Sequence, residues 1–326
     1  MILEDKRKIL VTGATGFVGR KLVAMLLERH YLVNCALRKS VTDIGELSGC
    51  HHFVFGDFNK LTDWNGALIG VDTVIHLAAR VHVMNETDAD PLQRFREANV
   101  DTTLRLASEA ANAGVQRFIY LSSVKVNGEH TDKTPFSESD TPNPQDPYAQ
   151  SKYEAEVGLS RLAKETGLEV VIIRPVLVYG PGVKGNFYRL IQLANKSLPL
   201  PFAKLHNRRS MIGLDNLVDL IILCISHPAA AGETFLASDG EDISTEKLVS
   251  LLREMLGRKP LLFTLPASFL KILHVIPRLR VLIDRLSGSL QVDNNKARHK
   301  LNWFPPKSLY DGINDSVQWY LKVKTK

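Results

Sequence analysis

Cysteine is scarce in this chain of 326 residues: Cys35, Cys50 and Cys224 are the only three, an odd number without metal-type spacing. That argues against a disulfide framework and a zinc site, suits a reducing cytoplasm, and leaves the cysteines to be read as packing residues. Long apolar runs are missing too. None approaches the roughly 18–20 residues of a spanning helix, and the longest, Leu220 to Ile225, reads as buried helix. The opening stretch lacks the apolar core, about 7–15 residues long, of a signal peptide, so a cytoplasmic location is expected. Charge of one sign is in short supply: 41 Lys and Arg face 35 Asp and Glu, a net charge of +6 scattered along the chain. This excess is too small to argue for nucleic acid and suits a solvated surface that tolerates an anionic small molecule. With 44% hydrophobic and 23% charged residues, the composition fits a soluble globular protein of one large or two smaller domains.

What is present begins at Lys8. The apolar run Ile9-Leu10-Val11 reads as a buried parallel strand, and it breaks into a loop with glycines at 13, 16 and 19 before a helical pattern starts. Such a loop cradles phosphate: Gly13 permits the turn, Gly16 lets backbone N–H groups approach a pyrophosphate, and Gly19 lets helix pack on strand. Gly13, Thr15, Gly16, Phe17, Val18 and Gly19 are therefore candidate cofactor-binding residues. Val18, Leu22, Met25 and Leu26 recur at helical spacing, and a second buried strand runs from Leu32 to Leu37. In dinucleotide folds an acidic residue at the end of that strand holds the ribose 2′-hydroxyl of NAD. Here the chain reads Leu37-Arg38-Lys39-Ser40. Two cations and no carboxylate favour a 2′-phosphate in the fork of Arg38, hence NADP(H) over NAD(H).

Further strands are expected at Phe53 to Phe58, Thr73 to Ala79 and Arg117 to Leu121. The third strand ends in Asp57 and Phe58, placed to face adenine; the fourth ends in Leu77, Ala78 and Ala79, small enough for a cofactor to lie close. His76 is read as a hydrogen-bonded core histidine. A helix carrying Phe95, Asn99, Leu104 and Leu106 precedes the fifth strand, which delivers Ser122-Ser123. Repeated strand-helix alternation predicts an α/β fold with a doubly wound parallel sheet, its ligands at the C-terminal ends of the strands.

The candidate chemistry follows the fifth strand. Pro147 suits a first helical position, so Tyr148 and Lys152 share a helix face at i and i+4. A nearby ammonium favours phenolate, and the expectation is a tyrosine acidified by Lys152 into an acid/base near neutrality. Ser123 would orient the reacting carbonyl or alcohol. Lys125 is read either as a substrate contact or as a loop charge.

In this order the glycine loop, His76-Leu77-Ala78-Ala79, Leu121-Ser122-Ser123, the Tyr148/Lys152 pair, Ile173-Arg174-Pro175 and Val178-Tyr179-Gly180-Pro181-Gly182 resemble the extended short-chain dehydrogenase/reductase superfamily. The resemblance covers nearly the whole chain and is strongest to the NAD-dependent epimerase/dehydratase group that includes UDP-glucose 4-epimerases. It implies a Rossmann domain over 1–178 and a smaller nucleotide-sugar domain over 179–326, with segments near 210–240 returning to the first. It implies Ser123, Tyr148 and Lys152 as the catalytic set and Asn99 as a further cofactor contact. For a UDP-sugar it implies Asn186, Arg209 and Arg285 near the diphosphate and Leu198 to Phe202 over the uracil. Asp293 to Trp303 resembles the closing helix of the family, and two helices, Asn99 to Ala113 and Tyr148 to Ala163, resemble its homodimer pair. Leu261 to Leu286 is left open between a lid, a partner-docking segment and a membrane-surface segment.

Sugar-nucleotide 4,6-dehydratases place an Asp-Glu pair after the catalytic hydroxyl residue, where this chain has Val124 and Lys125, so elimination is not expected. The remaining expectation is an NADPH-dependent reductase of a UDP-linked 4-keto sugar, resembling a bacterial subgroup that reduces UDP-4-keto-6-deoxy-N-acetylglucosamine for surface polysaccharide. A UDP-hexose 4-epimerase with retained NAD and, from another class, a non-catalytic NADP-sensing protein stay open as alternatives.

Overall fold

The computed structural model describes residues 7–40, 45–81, 90–264 and 287–324. Seven strands form the main sheet: β1 (Lys8–Thr12), β2 (Leu32–Leu37), β3 (His51–Val54), β4 (Thr73–His76), β5 (Arg117–Leu121), β6 (Glu169–Pro175) and β9 (Thr234–Ala237). Their order is β3-β2-β1-β4-β5-β6-β9, and every pairing is parallel. The order reverses at β1, flanked by β2 and β4. Crevices for ligands open at such a reversal, beyond the C-terminal strand ends.

Side-chain alternation sorts the apolar residues of the sheet into two layers. Ile9, Val11, Cys35, Ile75, Ile119 and Ile173 face one core, shared with helix α1 (Phe17–Glu28) and helix α7 (Leu214–Ser226). Leu10, Val74, Phe118, Tyr120 and Ile172 face the other, built with helix α4 (Thr102–Asn112) and helix α5 (Pro147–Thr166). A parallel sheet covered on both faces accounts for the near-continuous apolar strands.

Helix α5 starts where its sequence predicts. Asp146 is the N-cap, its side chain accepting from Ala149 N, Pro147 takes the first turn, and Gly167 ends the helix in the left-handed region at φ 77°. Two other expectations shift. The third strand covers His51–Val54 rather than Phe53 to Phe58, because Phe55 and Phe58 turn inward to stack with Trp64 at 4.8 and 5.0 Å between ring centroids. The helix expected through Phe95 and Asn99 is broken into α3 (Pro91–Arg96), a π-helical turn (Glu97–Asp101) and α4.

A second sheet joins β7 (Leu177–Tyr179), β8 (Arg209–Gly213) and β10 (Asp242–Ile243), β8 lying parallel to β7 and antiparallel to β10. It packs with α6 (Gly185–Ala194), α8 (Thr245–Met255) and the helix Leu309–Lys324 around Tyr179, Phe187, Leu252 and Ile313. The segment Asp293 to Trp303 contains a short helix, Asn295–Leu301, that adds Ala297, Leu301 and Trp303 to the main core. Among the described residues no helix is long and apolar enough to cross a membrane.

Candidate active site

At the β1 end, Gly13 has φ +70°, and a Cβ there would lie 2.8 Å from the Ala78 nitrogen. A Cβ at Gly19 would overlap the Gly13 carbonyl oxygen, and one at Gly16 would press on the same oxygen at 3.1 Å. The three glycines thus bring the loop against both α1 and the β4 end. Gly16 caps α1 with no side-chain hydrogen bond, and the first turn of α1 has no acidic residue. The first-turn N–H groups and the positive end of the helix dipole therefore suit an anion. Thr15, Phe17 and Val18 lie in this turn. The cradle fits the pyrophosphate of a dinucleotide.

Behind the cradle, Thr12 Oγ1 is 2.8 Å from His76 Nδ1 and accepts from Ala78 N at 3.2 Å, while Thr103 Oγ1 lies 3.0 Å from His76 Nε2. Burial, with the charge of Lys152, pushes His76 down to about 3, so the ring is neutral and structural, as its sequence context suggests. Asn99 is buried as well: its Oδ1 accepts from Arg80 N at 2.7 Å, and its Nδ2 contacts the Arg80 carbonyl and Ser151 Oγ at 3.0 Å each. Asn99 thus ties the segment after β4, through Leu77, Ala78 and Ala79, to helix α5.

Helix α5 brings Tyr148 and Lys152 to Ser123. Ser123 caps a 3-10 turn (Val124–Val126), accepting from Lys125 N at 3.2 Å, and its hydroxyl favours the Tyr148 phenolate. Lys152 is only 2% exposed; Nζ donates to the Leu121 carbonyl at 2.8 Å and lies 4.5 Å from the Tyr120 ring centroid. Burial lowers Lys152 to about 7 against the pull of Glu156. The Tyr148 phenol goes the other way from the expected acidification. Removal from water, reinforced by the Asp146 carboxylate, pushes it up to about 12, opposed by the Ser123 hydrogen bond. The ammonium turns instead to the end of β5, and Tyr148 is held protonated at neutral pH.

One turn beyond Lys152 is a group that the motif alone does not mark. Glu156 is 4% exposed; it accepts from Ser122 Oγ at 2.5 Å and from Arg174 Nε and Nη2 at 3.0 and 2.5 Å. Arg174 Nη1 also donates to Asn127 Oδ1 at 2.9 Å. The pair locks β6, α5 and the segment after β5 together beneath Ser123. Its sequence signal was the continuation of the Tyr148/Lys152 face by a further four residues.

Lys125 belongs to this scaffold too. Nζ bridges Glu129 Oε1 at 2.7 Å and Asp146 Oδ2 at 2.5 Å, which braces the N-cap of α5.

The adenosine and substrate ends are more open. Arg38 follows β2 with its side chain 72% exposed, 3.8 Å from Asp57 Oδ1, itself 93% exposed. Phe58 stacks on Trp64 and Phe55 as part of the second core. Asn186 is exposed in the first turn of α6, and Arg209 opens β8 with Nη1 donating to the Gly288 carbonyl at 3.0 Å. Burial lowers the pKa of Arg209. Gly182 has φ +88°, and a Cβ there would lie 3.8 Å from the Phe17 ring, which places the turn after β7 near the start of α1. Within Leu198 to Phe202, Leu200 and Phe202 are buried against Val249, leaving Leu198 as the exposed apolar side chain. Arg285 lies outside the described residues, as do 265–286 of the Leu261 to Leu286 segment.

Residues 9–237 match the NAD dependent epimerase/dehydratase family. A UDP-glucose 4-epimerase of Vibrio cholerae is 44% identical over 98% of this chain and 97% of its own length. An N-acetyl-alpha-D-glucosaminyl-diphospho-ditrans,octacis-undecaprenol 4-epimerase of Escherichia coli O157:H7 is 26% identical over 95% of this chain and 94% of its own. Among solved structures, UDP-glucuronic acid 4-epimerase from Bacillus cereus in complex with NAD superposes with a TM-score of 0.78 at 24% identity, covering 97% of this chain and 99% of that one. Glycine cradle, parallel strand order and end-to-end similarity agree, and the chain belongs to the NAD dependent epimerase/dehydratase family.

Proposed function

We propose that this protein is an oxidoreductase acting at C4 of a UDP-linked hexose, reducing a 4-keto sugar with NADPH. The observation that carries the reductive reading is Arg38, exposed at the end of β2 where a carboxylate would select NAD. The turn Gly13 to Gly19 would hold the pyrophosphate, Arg38 the 2′-phosphate, and Ala78 and Ala79 the approach to the nicotinamide half. When bound there, NADPH would supply the hydride for C4.

The residues of the chain manage the oxygen and its proton. Ser123 Oγ and the Tyr148 hydroxyl would donate to the 4-keto oxygen, and Tyr148 would pass its proton to that oxygen as it becomes an alkoxide. A phenol held near 12 is fully protonated at neutral pH, the form a donor needs. Lys152 would hold the nicotinamide ribose and, once its ammonium has turned there from the Leu121 carbonyl, would supply the positive charge that favours phenolate as the proton leaves; Glu156 supports that charge. Val124 and Lys125 provide neither the acid nor the base of an elimination, which removes 4,6-dehydration from the reading. Asn186 and Arg209 would meet the substrate diphosphate, and Lys125 would act only through α5.

A second reading, UDP-hexose 4-epimerisation with retained NAD, is favoured by the 44% identity to the Vibrio cholerae UDP-glucose 4-epimerase. It uses the same three residues in both directions, with Tyr148 first taking and then returning the proton. A non-catalytic NADP sensor would not need Tyr148 beside Ser123. The same proposal includes a cytoplasmic homodimer through α4 and α5, checked by light scattering.

The test is to denature the purified protein, identify any released dinucleotide, and titrate the apo form with NADPH and NADH. An empty site that prefers NADPH, followed by NADPH oxidation with a UDP-linked 4-keto-6-deoxy-N-acetylhexose, supports the reductase. Released NAD, no preference for the phosphate, and interconversion of UDP-glucose with UDP-galactose would replace it by the epimerase.

A further inference from the structure

Two of the three cysteines meet. Cys35 lies within β2 and is fully buried in the core layer shared with α1; Cys50, half-buried, comes just before β3. Parallel register sets Asn34 opposite His51 and Cys35 opposite His52, so Cys50 enters β3 beside the Cys35 side chain. The two sulfurs are 3.0 Å apart, with the Cys35 thiol donating to Cys50 Sγ. Cys50 Sγ is also 3.1 Å from the Leu47 carbonyl, and His52 Nε2 is 3.3 Å from the same oxygen.

The surroundings divide the pair into two roles. The hydrogen bond from Cys35, with a smaller contribution from His52, holds the Cys50 thiol below its ordinary range although burial opposes it. Cys35 is held above its range by the same bond and by burial. A sulfur on a half-buried residue, inclined to thiolate, thus touches a buried one that keeps its proton, which is the arrangement of an attacking and a resolving thiol. Cys224, buried alone on α7 and pushed up to about 12, has neither feature.

We propose that Cys35 and Cys50 form a reversible two-thiol oxidation site, with Cys50 as the sulfur that meets the oxidant and Cys35 as the one that resolves it. The oxidant is a hydroperoxide. Cys50 sulfur attacks the terminal peroxide oxygen, the O–O bond breaks, and the leaving oxygen departs as water or alcohol once protonated, leaving Cys50 as the sulfenic acid. Cys35 sulfur then attacks the Cys50 sulfur, the S–S bond forms, the S–O bond breaks, and the hydroxyl leaves as water with the Cys35 proton. Overall the two thiols lose two hydrogens and the peroxide takes up two electrons. A disulfide needs its sulfurs about 2.0 Å apart, about 1 Å closer than the observed contact. The bond would fasten both ends of residues 36–49, the stretch that carries Arg38.

The experiment uses the full-length protein and needs no substrate. The reduced chain is exposed to a small molar excess of hydrogen peroxide, alkylated, and analysed by intact mass and non-reducing peptide mapping. The expected result is loss of two hydrogens, a Cys35–Cys50 linked peptide, a fall in free thiols from three to one, and full reversal by dithiothreitol. Cys35→Ser should stop at a Cys50 sulfenic acid trapped by dimedone, and Cys50→Ser should leave both remaining thiols unmodified at the same dose. Circular dichroism on each variant confirms that it is folded. Unchanged thiols in the wild type, sulfinic acid at Cys50 without a cross-link, or prior reaction of Cys224 would each overturn the proposal.

Discussion

The two ends of the dinucleotide cradle are built on opposite principles. At the reaction end Lys152 and Glu156 are almost wholly buried, and Lys152 Nζ and both Glu156 oxygens are hydrogen-bonded. At the adenosine end Arg38 and Asp57 stand in solvent, 3.8 Å apart. Burial makes each charge at the first end depend strongly on its neighbours, whereas water screens the second. On the proposed reading, cofactor preference would be set where a substitution costs little stability, and proton transfer where it costs a great deal.

The largest effect should come from the reaction end. Tyr148→Phe removes the proton donor while keeping the ring that packs edge-on to Phe95. Turnover should fall by about 10²–10⁴-fold, the usual worth of a positioned general acid, with dinucleotide affinity changed by less than about threefold. Stopped-flow reduction alongside cofactor titration separates the two. A variant with a near wild-type rate would remove Tyr148 from the mechanism.

Glu156→Gln comes next. It removes the carboxylate that balances the buried Arg174 guanidinium and leaves only neutral acceptors such as Asn127 Oδ1, and breaking such a pair typically costs about 3–5 kcal/mol. Because the Glu156 carboxylate raises Lys152 against a burial that brings it to about 7, the variant should carry a still lower Lys152. If catalysis needs the ammonium, the alkaline limb of the rate profile moves to lower pH. The wild type should show the matching sign in stability. An unfolded lysine stays protonated up to its ordinary value near 10.5, whereas the folded one loses its proton near 7, so this residue makes folding more favourable as pH rises from about 7 to 10.5. Urea titrations across that window, compared with Lys152→Met, check it; a difference between the two proteins that stays flat with pH would contradict the burial argument.

How far the sequence revealed this arrangement depended on how local each signal was. The strand-loop-helix at Lys8 to Gly19 and the Pro147 start of α5 rest on spacing within a few residues, and both appear as read. The β3 boundary was harder. His51 and His52 are polar at an exposed sheet edge and disguise the strand start, while Phe55 and Phe58 prolong the apolar run although they serve the Trp64 cluster. The direction of the Tyr148 shift was also hidden, because it depends on where Lys152 Nζ goes: helical spacing makes the two residues neighbours, and tertiary packing sends the ammonium to Leu121. Glu156, Arg174 and Asn127 join three separate segments, and only β6 laid beside β5 brings them together.

The adenosine end gives the smaller effects. Arg38→Ala should weaken NADPH by about 10–100-fold, the value of hydrogen bonds to a charged group at about 1.5–3 kcal/mol, and should leave NADH unchanged within about twofold. Equal loss for both dinucleotides would mean that Arg38 does not read the 2′-phosphate.

The smallest expected change tests what the exposed pair itself is for. Asp57 competes with any anion for Arg38, so Asp57→Asn should free the guanidinium and tighten NADPH slightly. An exposed pair is worth at most about 1 kcal/mol, which bounds the gain at about fivefold. Screening should erase most of it at high salt, since both groups face solvent. Thermal stability should move little for the same reason. Calorimetric titration at low and high ionic strength reads the effect directly. If the variant instead binds NADPH more weakly at both salt concentrations, Asp57 supports the cofactor, whether by orienting Arg38 or by meeting the adenine as its position after β3 first suggested. The adenosine end would then resemble the reaction end in depending on a paired charge, and the contrast between the two would narrow to burial alone.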